Sequence, residues 1–408
     1  MAPQLARRLR PHVTYSQDYV SLARRHVPLS HPLFQFRQAD LDASARSAAP
    51  VAGPPESVVW LVPYFSHAAF GGIYTILRFA SGFAERGART HVVIFDRADA
   101  DVVALKHQMV ASFPNLADAT VEAFDVDSGS PDALPAADAA ICTLWPSAYV
   151  LLKFNRAKRK YYFVQDYEPL FYPAGPNYAL AESTYRFGFT GLVNTPGLLA
   201  ALEQRHGMKG VAFVPAVDSR YVAPDVRDDD GGRVRIFFYA RPSNERNAFP
   251  LCLAIIEQLL DRYGERIEIV TAGSEWDEAE YGFAGRITNL GLLSGLAAVS
   301  ALYRTCDVGV VYMLSKHPSY QPLEFMASGM ATVTNRNEDN LWLLRDEENC
   351  LLAEPSPAAM AEQVGRLVDD PSLRGRIQSG GEATISRDWD TEVRRVWEYL
   401  SDGQPARA

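Results

Sequence analysis

Short apolar runs alternate with amphipathic stretches along much of the chain. Residues 58–62 are all apolar and rich in β-branched side chains, which is typical of a strand buried on both faces. Gly71 and Gly72 then open a segment with apolar residues at helical spacing, and Gly87 is placed to end that helix as a left-handed cap. The apolar run at 90–95 completes a predicted β-α-β unit, and such units build a parallel sheet covered by helices.

The same rhythm starts again after a linker-like segment. Residues 222–232 contain Pro224, four aspartates and a glycine pair, as exposed linkers do. Beyond it the pattern predicts strands over 233–239, 267–271, 307–312 and 331–334, and helices over 249–260, 297–304 and 323–328. The fold class is therefore α/β with two Rossmann-like halves. Ligands of such sheets bind at the carboxyl ends of the strands, so two halves facing one another would hold a ligand in the cleft between them.

Composition narrows the class of partner. The chain has 408 residues, 48% of them hydrophobic, and a net charge of −9. This length favours two domains with sizeable cores. The acidic balance argues against a nucleic-acid partner, because neutralising phosphates needs a dense field of Lys and Arg.

Cysteines and hydropathy indicate a reduced compartment. The cysteines are too far apart for a zinc or redox motif and are expected to be reduced core residues: Cys142, Cys252, Cys306 and Cys350. No stretch stays apolar for the ~20 residues that a membrane span needs. Arg7, Arg8 and Arg10 lack the apolar run that follows them in a secretory signal. We therefore expect a cytoplasmic protein.

The first 50 residues differ in charge from the rest. They carry seven arginines and three aspartates, and they end in a run of small residues. One interpretation is a solvated arm leading into a linker. The other is an arm that binds anionic lipid headgroups, where each basic residue contributes ~1 kcal/mol, which would place the protein at the inner face of the cell membrane.

Charged side chains follow two predicted strands of the second half. Arg241 and Arg246 lie between a strand and a helix, where two guanidinium groups and a helix N-terminus could form an anion site. The alternative is a pair of ordinary surface arginines. Glu324 lies in the first turn of a short helix. It either favours the helix dipole or accepts hydrogen bonds from ribose hydroxyls.

The second half contains four segments that together form an ordered set of motifs. They are residues 239–247, 287–291, 301–308 and 323–329. In order and spacing they resemble the donor domain of GT-B glycosyltransferases of the family 4 type. Residues 345–352 are similar to a further segment of that family, with Cys350 where the family has glycine.

This resemblance implies specific roles on the donor side. Arg241 and Arg246 would hold the donor pyrophosphate, Arg246 replacing the usual lysine, and Glu324 would bind the ribose. Gly291 lies in a matching segment and is expected to line the donor site. Lys316 stands where the family has a glutamate that contacts the sugar hydroxyls. An ammonium cannot accept hydrogen bonds from hydroxyls, so the identity of the sugar stays open.

A narrower likeness involves both halves. Residues 161–173, with 317–320 and 322–324, resemble the WsaF-type bacterial rhamnosyltransferases, which build cell-surface glycans from dTDP-L-rhamnose. The resemblance implies a nucleotide-sugar donor, dTDP-L-rhamnose, and a glycan or lipid-linked glycan acceptor. By the same resemblance, transfer would retain the anomeric configuration.

The first half supplies candidates for the acceptor side. Asp166 and Glu168 follow an apolar strand; one of them could orient the acceptor hydroxyl or take its proton, or both could serve loop solvation and capping. Gly71 and Gly72 would let a substrate approach the backbone, although a tight turn explains them equally well. His67 lies on the preceding loop and could touch substrate.

Two further features leave alternatives. Tyr320 could stack on the base or the donor sugar, or simply pack. Asp-x-Asp triplets begin at Asp99 and Asp125 and invite comparison with metal-binding motifs, but the two arginines and a helix N-terminus can meet the donor's charge without a divalent ion. We therefore predict no metal and no cofactor.

The predicted organisation has four parts. Residues 1–50 form the basic arm and linker, 51–224 the acceptor-binding domain, 225–385 the nucleotide-sugar-binding domain, and 386–408 a C-terminal helix that returns to the first domain. Two other functions stay open: a nucleotide-sugar epimerase and a non-catalytic sugar-binding subunit.

Overall fold

A computed structural model describes residues 32–47, 53–68, 71–224, 232–317, 319–386 and 388–402. The described residues fall into two compact units. The N-terminal unit contains residues up to 215 together with 388–402, and the C-terminal unit contains residues 216–386. Each unit is built on one parallel sheet, so the predicted α/β class is confirmed.

The N-terminal unit contains seven parallel strands in the order β3-β2-β1-β4-β5-β6-β7. Their bounds are β1 (Ser57–Val62), β2 (Arg89–Ile94), β3 (Thr120–Ala123), β4 (Ala137–Cys142), β5 (Ala157–Val164), β6 (Thr190–Asn194) and β7 (Gly210–Phe213). The helices that precede or connect them are α1 (Gln38–Ser47), α2 (Gly71–Glu85), α3 (Val102–Ser112), α4 (Trp145–Lys153), α5 (Pro176–Thr184) and α6 (Pro196–His206). The predicted β-α-β unit is thus β1-α2-β2, and Gly87 has the left-handed φ of 97° expected after the helix.

Residues 32–47 pack on the N-terminal unit, which corrects the prediction of a solvated arm for this part of the 1–50 segment. Phe34 is buried, with its ring centroid 5.2 Å from that of Trp145 and 5.1 Å from that of Tyr149. The buried Lys160 ammonium donates to Ser44 Oγ of α1 at 2.9 Å. Apolar side chains at the start of residues 32–47 therefore hold this part on the unit, and its two arginines are balanced by two aspartates. Arg7, Arg8 and Arg10 lie outside the described residues.

The C-terminal unit contains six parallel strands in the order β10-β9-β8-β11-β12-β13. Their bounds are β8 (Val234–Ala240), β9 (Ile267–Gly273), β10 (Thr288–Asn289), β11 (Val308–Val311), β12 (Ala331–Asn335) and β13 (Leu351–Ala353). The helices are α7 (Phe249–Tyr263), α8 (Leu296–Arg304), α9 (Gln321–Ala327), α10 (Pro357–Asp369) and α11 (Pro371–Thr384). A Cβ on Gly309 of β11 would lie 2.4 Å from the Phe325 ring, so glycine lets α9 pack directly on the strand.

The last helix, α12 (Trp389–Asp402), belongs to the N-terminal unit. Glu392 of this helix accepts a hydrogen bond from the Val214 N–H at 2.9 Å. A Cβ on Gly82 of α2 would lie 2.4 Å from a methyl of Val393, which shows how closely α2 and α12 approach. The final segment therefore completes the core of the unit that is formed mostly by the first half of the chain.

The boundary between the units lies at residues 215 and 216, earlier than the predicted boundary after residue 224. Val217 and Tyr221 are buried in the core of the C-terminal unit. The Val217 N–H donates to the Ser386 carbonyl at 2.9 Å. Burial of these side chains assigns them to the second unit. Most of the linker predicted over 222–232 lies outside the described residues.

Candidate active site

The arginine candidates lie where β8 ends and α7 has not yet begun. Arg241 directly follows β8, and both Arg241 and Arg246 are half-buried. Asn244 caps the turn between them, its Oδ1 accepting from the Arg246 N–H at 3.2 Å. Ala248 precedes α7 with a left-handed φ of 51°. This compact turn places both arginines after the carboxyl end of β8, and this edge is the ligand-binding edge of parallel sheets.

Gly291 lies beside the same edge, after β10. Its φ is 59°, and a Cβ there would lie 1.8 Å from a carboxylate oxygen of Glu275. Its N–H donates to Asn289 Oδ1 at 3.1 Å, and its carbonyl accepts from the Gly273 N–H at 2.9 Å. Glycine is therefore required by both the backbone angle and the close approach, and the turn is fixed against the end of β9.

Lys316 lies in the loop after β11 and forms an ion pair with Asp339, which lies beyond β12. The Lys316 Nζ to Asp339 Oδ2 distance is 2.5 Å, and the two side chains are 15% and 25% exposed. Lys316 is predicted to lie on the donor side, whereas no sequence motif indicates Asp339 as its partner. The pair brings together loops that follow two adjacent strands.

His317, Ser319 and Tyr320 lie between Lys316 and α9 and contact one another. His317 is buried, and its Nδ1 accepts from the Ser319 N–H at 2.9 Å. The half-buried Tyr320 ring lies 5.7 Å from the His317 ring, centroid to centroid. Ser319 has a left-handed φ of 59°, which is unusual for a residue with a side chain. Tyr320 therefore lies on a conformationally restricted segment just before the helix that carries Glu324.

Glu324 lies in the first turn of α9 and accepts a hydrogen bond from the buried Tyr221 hydroxyl. Burial is the main cause that raises the pKa of Glu324, to about 7, and the nearby Asp218 carboxylate acts in the same direction; the Tyr221 hydrogen bond opposes them. Asp218 is itself paired with Arg220 at 2.8 Å. Glu324 is therefore a carboxyl group whose charge changes near neutral pH.

In the N-terminal unit, Glu168 follows β5 and is almost completely buried, with 2% exposure. Its Oε2 accepts from the Trp145 N–H at 2.6 Å, and its own N–H donates to the Tyr185 hydroxyl at 3.0 Å. The first N–H groups of a helix have no partner within the helix. The Glu168 carboxylate supplies one to α4, which is the capping role that the sequence analysis left as an alternative.

Asp166 and Gly72 lie on neighbouring segments of the N-terminal unit. Asp166 is 9% exposed, and its Oδ1 accepts from the Tyr167 N–H at 2.7 Å. The adjacent Gln165 donates to the Gly72 carbonyl at 3.1 Å, and a Cβ on Gly72 would lie 2.8 Å from Gln165 Nε2. Gly71 has a left-handed φ of 54°. The glycine pair thus forms a tight turn that admits the Gln165 side chain.

The remaining candidates of this unit have separate surroundings. His67 is exposed on the loop before α2. Asp101 caps α3, accepting from the Ala104 N–H at 3.0 Å. Asp125 accepts from the Asp127 N–H at 3.0 Å. These bonds give two aspartates of the Asp-x-Asp triplets local roles in a helix cap and a turn.

The cysteine prediction is confirmed, since all four are buried as free thiols. Burial raises the pKa of the Cys252 and Cys350 thiols to about 12. Within the described ranges, no helix is long and apolar enough to cross a membrane.

Sequence profiles of one family match both units. The profile "WsaF, N-terminal domain" matches residues 60–192, and "WsaF, C-terminal domain" matches residues 234–365. The chain belongs to the WsaF family. Among curated proteins, this member of the WsaF family is 43% identical over 389 residues to the "O-antigen biosynthesis protein RfbC" of Myxococcus xanthus, covering 93% of this chain. It spans only about 30% of the length of the curated relatives that it matches.

Solved structures identify the fold of this WsaF family member as GT-B. HepE from Anabaena, solved in complex with UDP, matches with a TM-score of 0.62 and 15% identity over 85% of this chain and 99% of that one. A TarM variant from S. aureus, solved in complex with Fondaparinux, alpha-GlcNAc-glycerol and UDP, matches with a TM-score of 0.64 and 9% identity over 85% of this chain and 100% of that one. The predicted GT-B fold and the predicted family are both confirmed.

Three residues near the candidates were missed by the sequence analysis. Tyr221 holds Glu324, Asp339 pairs with Lys316, and Gln165 packs on Gly72. Each contact joins residues more than 20 positions apart, and none has a local motif. Of the three, only Gln165 could have been suspected from the sequence, because it follows an apolar strand and precedes the candidate Asp166.

Proposed function

We propose that this chain is a glycosyltransferase that moves L-rhamnose from dTDP-L-rhamnose onto a growing bacterial cell-surface glycan. The observation that supports the proposal most is the 43% identity to an O-antigen biosynthesis protein over 93% of this chain. The chemistry of the C-terminal unit agrees with a nucleotide-sugar donor: two arginines follow one strand of a parallel sheet, and a carboxyl group lies in the first turn of the short helix that follows the adjacent strand. The rhamnosyl donor and the thymine base rest on the family resemblance.

The electrostatics of the donor side follow from the leaving group. When the bond between the sugar and the diphosphate breaks, negative charge builds up on the phosphate oxygens. Arg241 and Arg246 would stabilise this charge by charge-assisted hydrogen bonds, which are stronger in the transition state than in the ground state. Glu324 would accept a hydrogen bond from the 3′-hydroxyl of the deoxyribose and orient the nucleotide.

On the acceptor side we assign the acting carboxylate to Asp166 rather than Glu168. The Glu168 carboxylate holds the N-terminus of α4 and has 2% exposure. Asp166 lies at the same carboxyl end of β5 and bonds to the next backbone N–H. A carboxylate there can orient the acceptor hydroxyl or take its proton during transfer.

This assignment predicts that replacing Glu168 lowers stability, whereas replacing Asp166 lowers turnover. Glu168→Ala leaves the buried Trp145 N–H without its acceptor, at a cost of about 1–3 kcal/mol of unfolding free energy, so its melting temperature should fall by several degrees. Asp166→Asn should keep the wild-type melting temperature and lose at least about tenfold in turnover. Thermal unfolding and a transfer assay measure both. Full turnover by Asp166→Asn would remove the assignment.

Transfer is proposed to need no metal, because the two arginines supply the positive charge that would otherwise come from a divalent cation. Activity of the purified protein is therefore expected to be unchanged by excess EDTA. The same assay with added Mg²⁺ should show no stimulation. Activity that disappears with EDTA and returns with Mg²⁺ would contradict this prediction.

Two other functions predict different outcomes with the same donor. An epimerase would convert the nucleotide sugar without any acceptor, and a non-catalytic subunit would bind it without turnover. Incubation of the protein with dTDP-L-rhamnose, with and without a glycan acceptor, distinguishes the three. We expect acceptor-dependent release of dTDP and a glycosidic bond with retained anomeric configuration, which NMR of the product would establish. The cytoplasmic location, at the inner face of the membrane, stays a prediction.

A further inference from the structure

The Tyr185 hydroxyl bridges the backbone on either side of Tyr167. It donates to the Asp166 carbonyl at 3.3 Å and accepts from the Glu168 N–H at 3.0 Å. Tyr185 directly follows α5 and is 2% exposed. One buried hydroxyl thus bonds to two backbone groups of the short segment that begins with the candidate carboxylate of the acceptor side.

The Tyr185 ring is held by contacts that do not involve its hydroxyl. It stacks on the rings of Tyr162 in β5 and of Tyr167, with 5.6 Å between the centroids and 28° between the planes in each pair. Burial, together with the nearby Glu168 and Asp166 carboxylates, raises the pKa of the Tyr185 hydroxyl well above its ordinary value. The hydroxyl therefore keeps the proton that it donates to the Asp166 carbonyl, and ring packing determines where that donor lies.

The bridge links a residue that is fixed to the core with the residue that bears the candidate carboxylate. The Glu168 carboxylate accepts from the Trp145 N–H at 2.6 Å, which fixes Glu168 against α4. Asp166 Oδ1 accepts from the Tyr167 N–H at 2.7 Å. This second bond orients the carboxylate relative to its own backbone but does not determine where that backbone lies. Through the Tyr185 hydroxyl, the fixed Glu168 backbone determines the position of the Asp166 backbone.

We propose that Tyr185 is a positioning residue for sugar transfer, whose hydroxyl holds the Asp166 backbone so that the carboxylate meets the acceptor hydroxyl in the reactive geometry. A general base must lie within hydrogen-bond reach of the proton that it takes, and a misplacement of about 1 Å can lower a rate by about 100-fold. The buried Tyr185 side chain acts through Asp166 rather than on the substrate. The inference rests on the proposed function, in which Asp166 is the acting carboxylate.

The test variant is Tyr185→Phe, which removes the hydroxyl and keeps the stacked ring. Rates are measured with dTDP-L-rhamnose as donor and a membrane fraction that contains the lipid-linked glycan as acceptor. We expect kcat to fall by about tenfold. The KM for the donor and the Kd of dTDP should stay within about twofold, because the donor-side candidates lie in the C-terminal unit.

The matched control is Tyr149→Phe, which removes another buried hydroxyl of the same unit. This hydroxyl donates to the Leu180 carbonyl at 2.9 Å. Each variant leaves a buried backbone group without its partner, so both should lose several degrees of melting temperature. Tyr149→Phe should nevertheless keep kcat within about twofold, which separates a loss of stability from a loss of positioning.

The Asp166→Asn background shows whether Tyr185 acts through the carboxylate. Independent roles would multiply the two losses in kcat, to about 100-fold or more, whereas action through Asp166 leaves the double variant as active as Asp166→Asn alone. We expect the second result. A multiplied loss, or a wild-type kcat in Tyr185→Phe, overturns the inference.

A less stable Tyr185→Phe protein is assayed in trimethylamine N-oxide, which favours the folded state. A chain that stays unfolded under these conditions would show that the hydroxyl serves the fold, and this too overturns the inference. Full turnover by Asp166→Asn would instead contradict the carboxylate assignment within the proposed function, and a wild-type protein without transfer activity would contradict that function as a whole.

Discussion

Replacing Arg241 with alanine is expected to lower the rate of sugar transfer by about 10²–10³-fold, the usual effect of removing one group that stabilises charge in the transition state. Arg241 directly follows β8 at the carboxyl edge of the sheet, where the leaving diphosphate would accumulate charge. Since this stabilisation grows as the bond breaks, the loss should appear mainly in kcat. A transfer assay under saturating donor measures it.

The matched control for this variant is Arg286→Ala. Arg286 lies in the same unit, is partly exposed and pairs with Asp261 at 3.5 Å, so its removal should leave the rate within about twofold, since exposed ion pairs contribute little. An Arg241→Ala protein that folds and keeps more than half of the wild-type turnover would disprove the role of Arg241.

Replacing Glu324 with glutamine is expected to weaken nucleotide binding by about tenfold at pH 8, because a charged acceptor of the deoxyribose hydroxyl becomes a neutral one. The pKa of Glu324 is raised to about 7, chiefly by burial. Wild-type affinity for dTDP should therefore increase as the pH rises from 6 to 8 and the carboxyl group ionises. The Gln variant should show no such increase. Calorimetry at several pH values measures both proteins.

Tyr221→Phe provides a control on the cause of this pH dependence. The Tyr221 hydroxyl donates to the Glu324 carboxylate and lowers its pKa, so the variant should bind dTDP with a midpoint at higher pH. The pKa of Glu324 in the folded protein lies above its ordinary value. The free energy of unfolding should therefore fall as the pH rises from about 4.5 to 7, whereas the affinity for dTDP should increase as the pH rises. Equal pH profiles for wild type and Glu324→Gln would contradict the contact between Glu324 and the deoxyribose.

Local sequence patterns predicted the elements that carry the site. The apolar run at 58–62 and the helix from Gly71 lie where the structure has β1 and α2, because buried parallel strands and amphipathic helices have distinct periodicities. The pattern likewise predicted α7, and it placed Glu324 in the first turn of a short helix. The placement of Arg241 and Glu324 at one edge of the sheet could therefore be predicted from these elements alone.

Contacts between distant residues could not be predicted in this way. Nothing near Glu168 in the sequence indicates that its carboxylate would hold the N-terminus of α4, 23 positions earlier. Lys316 suggested only a departure from the family pattern until Asp339 was found beside it. The basic composition of the first 50 residues also gave no indication that Phe34 is buried against Trp145 and Tyr149. In each case the tertiary partner, not the local pattern, determines the role.

The most direct test of the central claim is thermal unfolding with a panel of nucleotide sugars, run on the wild-type protein and on Arg241→Ala combined with Arg246→Ala. A ligand present at 100 times its Kd adds about 2.7 kcal/mol to the free energy of unfolding. We predict that dTDP-L-rhamnose raises the wild-type melting temperature more than the other sugar nucleotides do, and that the double variant folds but loses this increase. A wild-type protein that no sugar nucleotide stabilises, or a double variant stabilised to the same extent, would contradict the account.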